Sequence, residues 1–176
     1  VMAAPLWEAS SAATLKVRAP AGRPRDEKTG KTLADIAEID IESLAQEMFN
    51  AGSNLKGKSA EEICFLDFKQ VTVNDTVFGV GQVNSMSADE LKDIKKIVKP
   101  HLEKARSAHG LNMIFFMLTN ILTESSELLC CGPEAREKLI GAYDLPEDTE
   151  ELMLKGVVSR KKQLVPALVA APVPYT

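Results

Sequence analysis

The uncharged run from Leu111 to Leu122 constrains the fold of this chain more than any other segment. A run this apolar predicts a strand that is buried on both faces. A long amphipathic pattern from Ser87 to Gly110 comes immediately before it and predicts a helix. Because strand and helix patterns alternate along the chain, the sequence predicts an α/β domain in which helices flank a mixed central β-sheet.

A β-hairpin is predicted before the long helix. β-branched and aromatic residues dominate the segments from Asp67 to Val73 and from Thr76 to Val83, and the Asn74-Asp75 pair between them has the composition of a short turn. Upstream of the hairpin, a capping box that opens at Ser59 predicts a short helix ending near Phe65.

The long helix should begin at a second capping box, which opens at Ser87. Pro100 lies inside the helical pattern and predicts a kink or a break near Lys99, because proline removes a backbone donor and clashes with the preceding turn. Beyond the apolar run, the pattern predicts a second buried strand from Ser126 to Cys131 and a short helix from Glu134 to Ile140.

The two ends of the chain carry weaker patterns. A loop or linker rich in proline and glycine is predicted between Ala19 and Gly30, followed by helices from Thr32 to Ile39 and from Ile41 to Ala51. The segment from Leu164 to Thr176 is uncharged but too short to span a bilayer. It is predicted to form a final strand and a loose tail.

Composition limits the classes of function. With 45% hydrophobic and 26% charged residues, the chain has the composition of one soluble globular domain, and no transmembrane helix or membrane partner is expected. The net charge of -4 argues against a general nucleic-acid binder, which needs a broad basic face. The three cysteines match neither a disulfide framework nor a zinc site, and no signal peptide is recognised, so a cytoplasmic location is expected.

Three consecutive cations, Arg160, Lys161 and Lys162, are the clearest chemical feature. A strand would send neighbouring side chains to opposite faces, so a shared target requires a turn or a strand end, which Gly156 would permit. A guanidinium fork beside an ammonium group suits a small, highly charged phosphate. For the tripeptide by itself, the alternative is a solvated basic surface.

Three segments together resemble the C-terminal half of the manganese-dependent (family II) inorganic pyrophosphatases, a domain usually called DHHA2. They follow the family's order and run from Asp40 to Gly52, from Lys58 to Asn84, and from Gly156 to Pro166, the last being the most specific. The resemblance implies a mixed sheet flanked by helices. It also divides the chain into an N-terminal segment and linker, residues 1–30, and a DHHA2-like substrate-binding domain, residues 31–176.

The resemblance assigns roles to three cations. Arg160 and Lys161 match residues that hold the substrate phosphates, and Lys69 matches a third lysine at the same site. Without the resemblance, Lys69 would be interpreted as a solvated strand lysine. The substrate implied is pyrophosphate or a related polyphosphate.

The complete enzyme implied by the resemblance uses Mn²⁺ or Co²⁺, held mainly by a DHH domain that normally precedes DHHA2 on the same chain. The aspartate and histidine motifs of that domain have no counterpart here, and Ala13 stands before Thr14-Leu15 where the family has an aspartate ligand. His101 and His109 lack an acidic partner at ligand spacing and are interpreted as surface or capping residues. We therefore expect no catalytic residue, metal ligand or cofactor in this chain.

Two functions stay open at this point. The first is the substrate-binding half of an inorganic pyrophosphatase, inactive in isolation, and a related exopolyphosphatase would use similar parts. The alternative is a free-standing DHHA2 module that binds a phosphate compound or a protein partner without catalysis. An upstream domain with an Asp-His-His motif would distinguish the enzyme from the free-standing module.

Overall fold

A computed structural model gives the fold and describes residue 55 and residues 57–171. Contacts within the chain divide it between Asn54 and Leu55, and the described residues belong to the second unit. Several predictions lie outside the described residues: the helices over 32–39 and 41–51, the linker over 19–30, Ala13, and the resembling segment over 40–52. The domain boundary at residue 30 therefore stays a prediction.

A sheet of five strands forms the centre of the described unit. The strands are β1 (Phe68–Val73), β2 (Thr76–Ser85), β3 (Met113–Asn120), β4 (Ser125–Cys131) and β5 (Leu152–Lys155). They lie side by side in chain order. The β2–β3 pair is parallel and the other three pairs are antiparallel, which confirms the predicted mixed sheet.

Helices cover both faces of this sheet. They are α1 (Ala60–Phe65), α2 (Ala88–Val98), α3 (Leu102–Ala108), α4 (Ala135–Tyr143) and α5 (Val165–Ala170). A 3₁₀ turn (Lys99–His101) separates α2 from α3, and a π-helical turn (Arg160–Leu164) leads into α5. None of the helices in the described part of the chain combines the length and the apolar character needed to cross a bilayer.

The two predicted capping boxes can be compared with the hydrogen bonds at the starts of α1 and α2. At α1 the box is complete, because the Glu62 amide donates to Ser59 Oγ at 3.2 Å and the Ser59 amide donates to the Glu62 carboxylate at 2.7 Å. At α2 only half of it forms: the Glu90 amide donates to Ser87 Oγ at 3.2 Å, while the Glu90 carboxylate accepts from the Ser85 hydroxyl instead. Both helices begin where the sequence predicts.

The segment between β2 and β3 is the crossover that a parallel pair requires. Its helix breaks at the 3₁₀ turn Lys99–His101, with Pro100 at the start of that turn. This confirms the predicted break, since a proline ring displaces the carbonyl one turn before it. The hairpin turn is confirmed as well: Asn74 and Asp75 have φ values of 46° and 65°, the left-handed pair that a type I′ turn needs.

The sheet separates two apolar cores. On one face, α1, α2 and α3 pack over the sheet, with Ile63, Ile94 and Phe116 among the buried residues. On the other face, α4, α5 and the π-helical turn cover Phe78, Val80, Phe115 and others. Strand β3 is buried from Met113 to Thr119, as its uncharged run predicts.

The prediction of a final strand from Leu164 is wrong. Leu164 ends the π-helical turn and Val165–Ala170 is an α-helix. Leu164 and Leu168 are both fully buried, and their spacing of one helical turn places them on one face. Pro166 lies in the first turn, where its missing amide hydrogen costs nothing. The tail over 172–176 lies outside the described residues.

Candidate functional site

The three consecutive cations lie on the π-helical turn described above. We call residues 159–163, which are the capping Ser159 and most of that turn, the cationic turn. The amides of Gln163 and Leu164 both donate to the Ser159 carbonyl, at 3.0 and 3.2 Å, and the second of these bonds has the i to i+5 spacing of a π-helix. Ser159 Oγ accepts from the Lys162 amide at 3.2 Å and so caps the turn. The expected turn is therefore present, in helical form.

Arg160 is the most buried of these cations, with 14% of its side chain exposed. Its Nη1 donates to the carbonyls of Asp67 at 2.6 Å and Val80 at 3.4 Å, and its Nη2 pairs with the Asp67 carboxylate at 2.8 Å. A guanidinium has five N–H donors. Two of them, Nε–H and one Nη2–H, have no acceptor among the described residues.

Lys69 lies in β1, on the sheet face that carries the cationic turn. It shares that face with Val71 and Val73, which pack against the core containing Leu164 and Leu168. Directly across the hairpin, Lys69 is paired with Val80, the residue whose carbonyl accepts from Arg160. The structure thus brings Lys69 and the cationic turn to the same part of the sheet.

Three lysines on the same part of the sheet and on the cationic turn have no counter-ions among the described residues. Lys69, Lys161 and Lys162 are exposed, and none of them forms an ion pair within the described ranges. Within residues 57–171, Asp67 is the carboxylate that pairs with a cation of this cluster. Cations that lack counter-ions raise the local concentration of anions, which makes this surface a candidate anion site.

Two amide side chains, that of buried Gln82 and that of half-buried Gln163, support the backbone of the cationic turn. Gln82 donates to the Val158 carbonyl at 3.0 Å and accepts from the Arg160 amide at 3.1 Å. Gln163 accepts from the amides of Val158 and Ser159, each at 3.0 Å, and donates to the Gly156 carbonyl at 2.7 Å. Sequence reasoning assigned no role to Gln82, although a glutamine inside an apolar strand signals a buried polar contact.

The surroundings of the three cysteines favour the protonated thiol. Burial raises the pKa of Cys64 and that of Cys130 to about 11. The Cys131 thiol donates to the Glu103 carboxylate at 3.0 Å, and burial together with this carboxylate raises its pKa. Because a thiolate is the reactive form, these cysteines are poor nucleophiles.

The two histidines have different structural positions. His101 belongs to the 3₁₀ turn, and His109 caps the end of α3 through its backbone while its ring contacts Phe65 at a centroid distance of 4.3 Å. Across residues 57–171 no group of three or more His, Cys, Asp or Glu side chains is arranged to hold a metal ion.

Comparison with known proteins identifies the family. The sequence model of the DHHA2 domain family matches residues 46–171 of this chain. The chain belongs to the DHHA2 family. This confirms the resemblance seen in the three sequence segments.

Relatives of this DHHA2 domain are larger proteins. This chain is 40% identical over 157 residues to a cobalt-dependent inorganic pyrophosphatase of Clostridium perfringens. The match covers 88% of this chain and 28% of that protein. This chain is 35% identical over 158 residues to a protein of Clostridium acetobutylicum assigned as a manganese-dependent inorganic pyrophosphatase, covering 90% of this chain and 51% of the relative. The chain therefore spans about half the length, or less, of these relatives.

A solved structure supports the same assignment. A Methanococcus jannaschii protein assigned to the family II inorganic pyrophosphatases superposes with a TM-score of 0.78 at 33% sequence identity. The match covers 95% of this chain and 54% of the other. The mixed sheet described above is thus the fold of a DHHA2 domain.

Proposed function

We propose that this DHHA2 domain is the substrate-binding half of an inorganic pyrophosphatase, and that Lys69, Arg160 and Lys161 hold pyrophosphate. The observation that carries the proposal is the hydrogen bonding of the Arg160 guanidinium. Its guanidinium is fixed by Asp67 and Val80, yet it keeps two donors for an anion. The choice of pyrophosphate as the substrate comes from the names of the relatives, which are inorganic pyrophosphatases.

The chemistry of these cations is binding and orientation. Two neighbouring N–H groups of a guanidinium can grip two oxygens of one phosphate, while ammonium groups act as point charges on the other phosphate. Lys161 extends from the same turn as Arg160, and Lys69 comes from the adjacent strand. The charge of pyrophosphate would thus be neutralised from two elements, strand β1 and the cationic turn.

The complete enzyme would also need a metal ion, which would supply an activated water as nucleophile and stabilise developing negative charge. Mn²⁺ or Co²⁺ is the ion indicated by the names of the relatives. The described residues hold no ligand cluster that fits it. We propose that a DHH domain on the same chain provides the ligands and that the enzyme acts in the cytoplasm.

Titration of pyrophosphate into this chain tests the proposal. We expect a dissociation constant of about 1 mM for the wild type, because screened Coulomb attraction acts without a metal ion to anchor the ligand. Binding should weaken severalfold in Arg160→Lys, which keeps the charge and loses the planar fork, and also in Lys69→Ala. Chemical-shift perturbation or calorimetry measures both.

Lys104→Ala is the matched control. Lys104 is an exposed lysine of α3 without an ion pair among the described residues, and α3 covers the opposite face of the sheet. Its loss changes the net charge as Lys69→Ala does and should leave the affinity unchanged. Equal binding by wild type, Arg160→Lys and Lys69→Ala would show that the cluster is a solvated basic surface and would overturn the proposal. Preference for a longer polyphosphate over pyrophosphate would favour an exopolyphosphatase.

A further inference from the structure

We infer that Gln82 is a positioning residue for the anion site: its side-chain amide fixes the backbone of the cationic turn so that the Arg160 guanidinium faces the anion. This inference rests on the proposed function. It assigns to Gln82 no contact with the anion itself.

The first argument is that Gln82 holds both ends of Arg160. Its Oε1 accepts from the Arg160 backbone amide at 3.1 Å. Its own backbone amide donates at 3.0 Å to the Asp67 carbonyl, the same oxygen that accepts from Arg160 Nη1 at 2.6 Å. One residue of β2 thus sets both the start of the arginine side chain and an acceptor at its tip.

The second argument is that the Gln82 amide cannot rotate to the reverse orientation. Its Nε2 lies 2.9 Å from both Asn84 Oδ1 and Thr119 Oγ1 and 3.0 Å from the Val158 carbonyl. Exchanging oxygen and nitrogen would direct an N–H group at the Arg160 amide and an oxygen at the Val158 carbonyl. Both contacts would then be repulsive.

The third argument is that this contact network is buried and extends to the neighbouring strands. Gln82 is 7% exposed, and Thr119 and Ser126 are buried as well. Thr119 and Ser126 share a hydrogen bond of 2.9 Å, and Ser126 Oγ donates to the Val157 carbonyl at 2.6 Å. An apolar residue at this position of β2 would leave the Arg160 amide and the Val158 carbonyl without these partners, so the amide serves the backbone of the cationic turn rather than packing alone.

The test compares Gln82→Met with the wild type in pyrophosphate titrations. Methionine keeps the length of the side chain, but it makes none of the hydrogen bonds of the glutamine amide group. We expect the affinity to fall by about three- to tenfold, the effect of losing a buried hydrogen bond that orients the turn. The salt dependence of binding should keep its slope, because the number of charges is unchanged. Gln70→Met, at an exposed position of β1 on the face opposite Lys69, is the control and should bind like the wild type.

A double-mutant comparison separates positioning from general damage. If Gln82 acts through the arginine fork, Gln82→Met should cost at most about twofold when Arg160 is already lysine, because the coupled effects are not additive. An equal loss of affinity in both backgrounds would overturn the inference. So would unchanged binding by Gln82→Met in a chain where Arg160→Lys weakens it.

Amide hydrogen exchange gives a reading that does not depend on binding. In the wild type the Arg160 amide, which donates to a buried oxygen, should exchange slowly, and in Gln82→Met it should exchange faster. Rapid exchange in the wild type would contradict the inference even if the variant failed to fold. If the wild type bound no pyrophosphate while this amide stayed protected, the proposed function would fail and the structural role of Gln82 would stand.

Discussion

Asp67 shows, at the scale of single residues, how the guanidinium of Arg160 is oriented. Its carbonyl and its carboxylate accept from the two terminal nitrogens of Arg160. The Asp67 side chain is 53% exposed, so water screens the ion pair and limits its contribution to stability to about 0 to 1 kcal/mol. The effect of the pair is therefore mainly on geometry: the terminal edge of the guanidinium is occupied, and the edge formed by Nε and Nη2 has no acceptor within residues 57–171.

Glu103 provides a prediction about pH at the same scale. Hydrogen bonds from Arg106, from the Cys131 thiol and from Ser107 lower its pKa from 4.5 to about 2. Because the folded pKa lies below the unfolded value, ionised Glu103 stabilises the fold above about pH 4.5, and this contribution is lost as the pH falls toward about 2.

We therefore expect Glu103→Gln to be less stable than the wild type at pH 6 and to approach it as the solution is acidified. Urea unfolding at a series of pH values measures the difference in free energy of unfolding. A difference that stays constant between about pH 5 and about pH 2 would contradict this prediction.

At the scale of elements, β1 and β2 fit together through a glycine. A Cβ atom added at Gly79 would lie 2.2 Å from the ring of Phe68 and 2.9 Å from Leu111. The bare backbone of β2 thus provides the space for the Phe68 ring, one position before Lys69.

Gly79→Ala should therefore destabilise the chain by about 1 to 3 kcal/mol, the usual cost of overpacking a core. Gly141→Ala is the matched control, because Gly141 lies inside α4 with no atom within 4 Å of the added Cβ. That substitution should be neutral or stabilising by up to about 1 kcal/mol. Urea unfolding compares the two variants, and equal free energies of unfolding would show that the Phe68 ring moves aside without cost.

Predictability from sequence also differs among the elements. The start of α1 and the break at Pro100 depend on residues a few positions apart, and both were predicted correctly. Helix α5 was missed because a short apolar run has the same composition as a buried strand, and only the packing of Leu164 and Leu168 distinguishes the two. The contacts of Gln82 join residues 76 and 78 positions apart, a pairing that no local pattern specifies.

At the scale of the whole molecule, the site combines three distant stretches of chain: the start of β1, the middle of β2 and the cationic turn. The polar contacts lie toward the carboxyl end of the parallel pair β2–β3, the region where open α/β sheets usually bind ligands. The family resemblance was needed to connect Lys69 with Arg160, since they are separated by most of the described unit.

The proposed division of work between two domains predicts that this chain alone does not hydrolyse pyrophosphate at an appreciable rate, even with added Mn²⁺. Binding by cations orients the substrate but supplies no hydroxide nucleophile. Release of phosphate from pyrophosphate, followed over time, measures the rate. Metal-dependent turnover by the purified chain that disappears in Arg160→Ala would contradict the prediction.

The two-residue turn of the hairpin also determines which side chains of β1 face the proposed anion site. Asn74 and Asp75 fix how β1 is aligned against β2, and this alignment places Lys69 opposite Val80. A slip of one residue would turn Lys69 to the opposite face of the sheet and bring Phe68 or Gln70 to the site in its place. The choice of Lys69 as the proposed binding lysine thus depends on two residues at the far end of the hairpin, Asn74 and Asp75.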